Sequence, residues 1–228
     1  MRLEVLEELN LHILRLLKDV WGRVIALDLE THIQHPNMFL TDERILSVSL
    51  ARRISGKFME RNEIEVETIF LEDESEESEV KLLEKLNEKL SNIKPLAVIG
   101  YGVRQYDIPL LTIKKERYHK RHNQRFWKLV DLVELAAVID LYHILRYRGY
   151  KKLEENLYSQ EFSNLPLKRT KRLVSTDRDE KRKDVYRLWK EDRETLREYS
   201  EGDVHDLLLI AESLAFGDSH REHYAASY

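Results

Sequence analysis

The sequence predicts an α/β protein with a central sheet covered by helices on both faces. Three observations lead there. Short continuous apolar runs have the length of buried strands, the segments between them carry helical periodicity, and the two kinds alternate along the chain.

The elements follow in order. Residues 2–20 place Leu3, Leu6, Leu9, Ile13, Leu16, Leu17 and Val20 at helical spacing, and Gly22 ends that helix. Val24 to Leu27 is a continuous apolar run, the mark of a strand buried on both faces, and it closes in Asp28-Leu29-Glu30-Thr31. Ile45 to Ala51 reads as a second strand, and Ile64 to Leu71 alternates like a third. The acidic stretch Glu72 to Glu79 opens a helix reaching about Leu90, since acids in a first turn suit the helix dipole. Pro95 to Tyr101 is a further apolar strand. Asp107-Ile108-Pro109 starts a helix with proline at an early position. Residues 126–148 read as a helix, a short strand or turn at Ala137 to Leu141, and another helix. A long last helix, roughly Glu191 to Ala215, buries Leu207, Leu208, Ile210, Ala211 and Leu214. The expected organisation is an N-terminal helix over 1–21, one domain over 22–217, and a flexible tail over 218–228.

Composition narrows the chemistry. The 228 residues are 42% hydrophobic and 35% charged, enough apolar material for one full core without crosslinks. Without any cysteine, disulfides and thiolate metal sites are excluded, so a metal would sit on oxygen or imidazole ligands. No apolar run approaches the roughly 20 residues that span a bilayer, and the N-terminus lacks a signal-peptide core. The expectation is a cytoplasmic protein with no membrane partner. A net charge of −4 argues against a globally basic nucleic-acid binder, yet residues 168–190 hold ten Lys/Arg against four acids. This basic insertion, which begins with Lys168 and Arg169, is either a phosphate-contacting element or a mobile charged surface segment.

The acids carry the chemistry. Asp28 and Glu30 are two apart, so on a strand they share a face and repel unless a cation lies between them. If the strand has already ended, both are solvated loop residues. Asp107 is either a site carboxylate or a helix cap. Tyr199 and Asp203 are four apart on the last helix and share a face. Asp203 is four before Leu207 and seven before Ile210, at the buried stripe, where a carboxylate needs a partner.

Taken together, ALDLET, GYGVRQYDIPLL and YSEGD, with the intervening VIDLYHILRYRGYKKLEE, resemble the DEDD superfamily of 3′–5′ exonucleases over roughly residues 22–216. They are most similar to the proofreading domains of family B DNA polymerases. The resemblance implies a ribonuclease H-like fold with a central mixed five-stranded sheet. Tyr199, four before Asp203, resembles the DEDDy subgroup; the DEDDh pattern needs His five before, where Glu198 stands. Two departures are Gly102, where the family often has Asn, and Tyr106, where it has Phe.

The resemblance further implies two divalent cations, Mg²⁺ or Mn²⁺, held by Asp28, Glu30, Asp107 and Asp203. Asp28 would bridge both, Glu30 and Asp203 would hold the water-activating ion, and Asp107 would support the other. Tyr199 would orient the water. Leu29, Thr31, Tyr106, Lys168 and Arg169 are candidates for substrate binding. His35, Met38 and Phe39 are candidates either for stacking on terminal bases or for packing. The expected function is a freestanding 3′–5′ exonuclease acting on single-stranded DNA 3′ ends or frayed duplex. It would serve a polymerase or repair complex in trans. The rivals are an exoribonuclease trimming RNA and a catalytically inactive nucleic-acid-binding module.

Overall fold

The computed structural model describes residues 3–33, 40, 42–54, 63–147, 162–175 and 177–217. His35, Met38, Phe39, the 218–228 tail and the end of the VIDLYHILRYRGYKKLEE segment fall outside them.

Among the described residues, the sheet has five strands: β1 (Val24–Ile33), β2 (Glu43–Arg53), β3 (Ile64–Phe70), β4 (Ala97–Gly100) and β5 (Ala137–Asp140). Their spatial order is β3-β2-β1-β4-β5. The β1–β2 and β2–β3 pairs are antiparallel, while β1–β4 and β4–β5 are parallel. This is the mixed five-stranded arrangement of the ribonuclease H-like fold. The helices are α1 (Leu3–Leu16), α2 (Glu76–Ile93), α3 (Asp107–His122), α4 (Trp127–Glu134), α5 (Leu141–Tyr147), α6 (Arg178–Glu191) and α7 (Arg193–Phe216).

Alternation along β1 sorts its side chains between two cores. Ile25, Leu27 and Leu29 join residues of α2, α3, α4 and α6 on one face. Val24 and Ala26 join α1, α5 and α7 on the other. Asp28 and Glu30 continue the Val24–Ala26 parity and so belong to the face covered by α7. The strand runs through both acids to Ile33, with a bulge between Glu30 and Thr31, so they are strand residues and not loop residues. Bulges of this kind re-aim side chains beside functional sites.

Several expected boundaries shift. The first helix stops at Leu16 and is followed by a 3-10 segment, Lys18–Arg23, with Val20 off helical geometry. Among its described side chains Asn10, Leu11 and Leu14 are buried, whereas Leu9 and Leu16 are exposed. Leucines surround this helix, so the face that meets α5 and α7 sets the buried stripe. Trp21 is fully buried and donates its indole N–H to Glu212 Oε1 at 2.8 Å. Helix α2 begins at Glu76 and not Glu72, because the Ser75 hydroxyl caps it by accepting from Ser78 N. The segment at 137–140 is a strand, not a turn.

Candidate active site

Three parallel strands set the position of the site. β4 pairs with β1 only from Val24 to Ala26, so among the described residues no strand lies beside that edge of β1 beyond Ala26. The chain leaves β4 at Gly100, where a Cβ would meet Val103 Cβ at 2.6 Å and Leu27 O at 3.1 Å. Gly102 follows at φ +78°, a conformation that suits the glycine standing where the family segment often has Asn. Its N–H donates to the buried Asp140 at the end of β5. This turn delivers Asp107, whose Oδ1 accepts the Leu29 N–H at 3.1 Å. Asp107 thus satisfies a backbone donor that β4 would have paired had it continued. Ligand crevices in such sheets open beyond the carboxyl ends of the parallel strands. Here a cleft of about 600 Å³ is lined by Asp28, Leu29, Glu30, Thr31, Tyr106 and Asp107 together with Lys181 and Arg182.

Helix α7 brings the remaining pieces. Tyr199 is fully buried and Asp203 is 3% exposed, as their place on the core stripe requires. Asp28, Glu30 and Asp203 each present a carboxylate oxygen, all within 4.8 Å of one another. At an effective dielectric near 20, each such pair of charges repels by roughly 3 kcal/mol. Asp28 Oδ2 is buried with no hydrogen-bond partner. Oxygen-only donors with an orphaned carboxylate oxygen fit a hard divalent cation. Asp107 stands beside this triad, hydrogen-bonded to Leu29.

Two lysines of the basic stretch also reach the acids, and sequence reasoning had not singled them out. Lys171 donates to Tyr199 OH at 2.9 Å and to Asp203 Oδ2. Lys181 Nζ forms an ion pair with Glu30 Oε1 at 3.2 Å. Both ammonium groups lie over the Tyr199 ring, 4.9 and 5.4 Å from its centroid. Lys168 and Arg169, the two residues expected to bind substrate, instead present their backbone N–H groups to the Asp206 carboxylate, and neither lines the cleft. Thr31 and Tyr106 do line it. Their hydroxyls meet at 2.6 Å, and both donate to the buried Glu43.

Burial dominates the electrostatics. It pushes the Asp28 carboxyl up to about 7, with the charges of Glu30 and Asp203 adding to it and Lys171 and Lys181 opposing it. Burial likewise raises Asp203, against the two lysines. Burial and then the Asp28 charge lift Asp107 well above the usual carboxylate range, against the Leu29 N–H. Burial and then Asp203, Glu30 and Asp28 hold the Tyr199 phenol well above its ordinary value, so it remains protonated. Burial disfavours the Lys181 ammonium, but Glu30, Asp28 and Asp203 outweigh it and raise its pKa.

A pH dependence follows from Asp28. Between the unfolded value of about 3.9 and about 7, the native state holds more protons than the unfolded chain. Stability without divalent ions therefore falls as pH rises through that window. Melts in chelator are expected to give a lower Tm at about pH 8 than at about pH 5, and Mg²⁺ is expected to narrow the gap by binding the ionised native state. An identical Tm at both pH values in chelator would contradict this assignment.

No family model matches this sequence, and no curated protein matches it. Solved structures do match. Over 90% of this chain and 27% of the other, the fold is similar to the structure of the family B DNA polymerase from the hyperthermophilic archaeon Pyrobaculum calidifontis. The TM-score is 0.57 at 16% sequence identity. The chain thus spans about a quarter of that polymerase's length. What the likeness establishes is the fold: a mixed five-stranded sheet flanked by helices.

Proposed function

We propose that this protein is a divalent-cation-dependent 3′–5′ exonuclease acting on single-stranded DNA ends. The observation that carries the reading is the convergence of Asp28, Glu30 and Asp203 within 4.8 Å beneath an open cleft, with Asp28 Oδ2 left without a donor. The order of the motifs and the fold shared with a family B DNA polymerase support it.

Asp28, Glu30 and Asp203 would hold the cation, Mg²⁺ or Mn²⁺. A bound divalent ion supplies Lewis-acid stabilisation of the phosphate and lowers the pKa of water in its shell. Tyr199, kept protonated, is a positioning group for the attacking water and not a base. Thr31 and Tyr106 line the cleft where the terminal nucleotide would sit. The second ion implied by the resemblance would draw on Asp107, which would first have to release the Leu29 N–H.

The test is digestion of 3′- and 5′-labelled single strands with and without chelator. Mononucleotide release from the 3′ end, lost in chelator, is the expected result. Activity that persists in chelator, or that starts from the 5′ end, would overturn the reading. Matched RNA strands decide the substrate, and faster digestion of RNA would replace DNA by RNA.

A further inference from the structure

We propose that the outer face of α1 docks a second copy of this chain, packed antiparallel so that two α1 helices form a two-fold dimer. The inference does not rest on the nuclease reading, because none of the residues involved lines the cleft. Helix α1 is apolar on two sides. With successive residues turned by about 100°, Leu11 and Leu14 point into the core shared with α5 and α7. Val5, Leu9 and Leu16 fall within about 40° of one another on the opposite side. They are 49%, 48% and 69% exposed. Large apolar side chains left exposed among the described residues concentrate here: Val5, Leu9, Leu16 and Val20 all belong to this segment, against Ile54, Trp127 and Leu135 in the rest. A helix that is apolar all round is normally a buried helix, so this second stripe calls for a cover. His12 is the exposed polar side chain beside it, and Ile13 is half-buried at its other margin.

Charge selects the partner and its direction. Glu8 and Arg15 are exposed along one flank of the stripe, seven residues apart. Arg15 gives its Nε–H to Ala215 O at 2.8 Å, which anchors the guanidinium and leaves its two Nη groups for a carboxylate. An antiparallel copy brings Val5 of one chain against Leu16 of the other and Glu8 against Arg15, and the two-fold axis repeats both contacts. A parallel copy would set each residue level with itself, leaving Glu8 about 10 Å along the axis from Arg15. The stripe is therefore complementary to itself when reversed. A helix of 14 residues offers less surface than a permanent pair buries, so the dimer is expected to exchange with monomer.

Sedimentation velocity over a concentration series reaching about 1 mM, the weak end of specific association, tests this. The native chain is expected to move from monomer toward dimer as concentration rises, without larger species. Leu9→Glu and Leu16→Glu are each expected to weaken the dimer by more than about tenfold, since each would bury a carboxylate against an apolar partner. Leu135→Glu, at an exposed leucine outside α1, is expected to leave it unchanged. Glu8→Arg and Arg15→Glu are each expected to weaken it by up to about fivefold, and the two together to recover most of that loss. A native chain that stays monomeric throughout would overturn the proposal. A dimer that survives Leu9→Glu and Leu16→Glu combined would also overturn it, by putting the contact elsewhere. A charge exchange that recovers nothing would refute the antiparallel pairing. Circular dichroism of the dilute variants, expected to match the native chain, separates loss of the dimer from loss of the fold. Because the native series alone can refute the idea, the test stands even if a variant does not fold.

Discussion

Asp28→Asn is expected to remove nuclease activity and at the same time to stabilise the ion-free protein. Cation-based stabilisation of a phosphoryl transition state is worth several kcal/mol, which at about 1.4 kcal/mol per tenfold is on the order of a 10³-fold loss. The stability gain has a separate cause. Asp28 is half-buried beside Glu30 and Asp203, with its Oδ2 shut off from solvent, and its carboxyl is pushed up to about 7. An amide there carries no charge, so the repulsion among the three acids is relieved. In chelator at about pH 8 the variant should melt above the native protein, by about 2–4 °C for each kcal/mol gained. Saturating Mg²⁺ should reverse that order, because only the native chain binds the ion. A variant with native activity, or one less stable than the native protein in chelator, would show that Asp28 is not part of a strained cation site. Such a trade between stability and function is the usual mark of a site built on repulsion.

Gly202→Ala is expected to be damaging although it lies inside α7, where alanine normally stabilises a helix by about 1 kcal/mol over glycine. A Cβ at Gly202 would lie 2.8 Å from Thr170 Cβ and closer still to the rest of that side chain. Thr170 is 4% exposed and donates its hydroxyl to Tyr199 O at 3.1 Å. It opens the 3-10 turn Thr170–Leu173, which carries Lys171 to Tyr199 and Asp203. The added methyl must push this turn off the helix. Overpacking of this kind costs about 1–3 kcal/mol, and here it also withdraws Lys171 from the acids. A fall in Tm together with changed Mn²⁺ affinity is the expected result. Thr170→Gly in the same chain should recover part of both, since the two sites are in contact and their effects do not add. A rise in Tm for Gly202→Ala alone would show that Thr170 has room to move.

Most of the architecture was legible because it is written in local periodicity. The β1 run, the two strands after it, the α3 start at Asp107 and the stripe of α7 each depend on residues within one or two turns or on strand alternation. The helix at 178–191 was not legible. Its buried Val185, Leu188 and Trp189 are three apolar positions submerged in charge, and their spacing stands out only once a sheet is there to receive them. The site divides in the same way. Asp28, Glu30 and Asp203 announce themselves by placing acids on buried faces. Lys171 and Lys181 do not, since a lysine among ten basic residues carries no local mark of its partner.

The order of the apolar runs and the acids placed among them determined the α/β class, the parity of Asp28 with Glu30 and the face that α7 presents. Those properties follow from the fixed periods of strand and helix, which any stretch of chain carries with it. Only the tertiary structure decided that Asp107 is tied to the Leu29 backbone, that Lys168 and Arg169 turn their N–H groups to Asp206, and that Lys181 faces Glu30. Each of these depends on where β4 ends beside β1 or how α6 lies against it. Contacts between segments that far apart in the chain are set by the packing of the whole sheet, for which no local pattern exists.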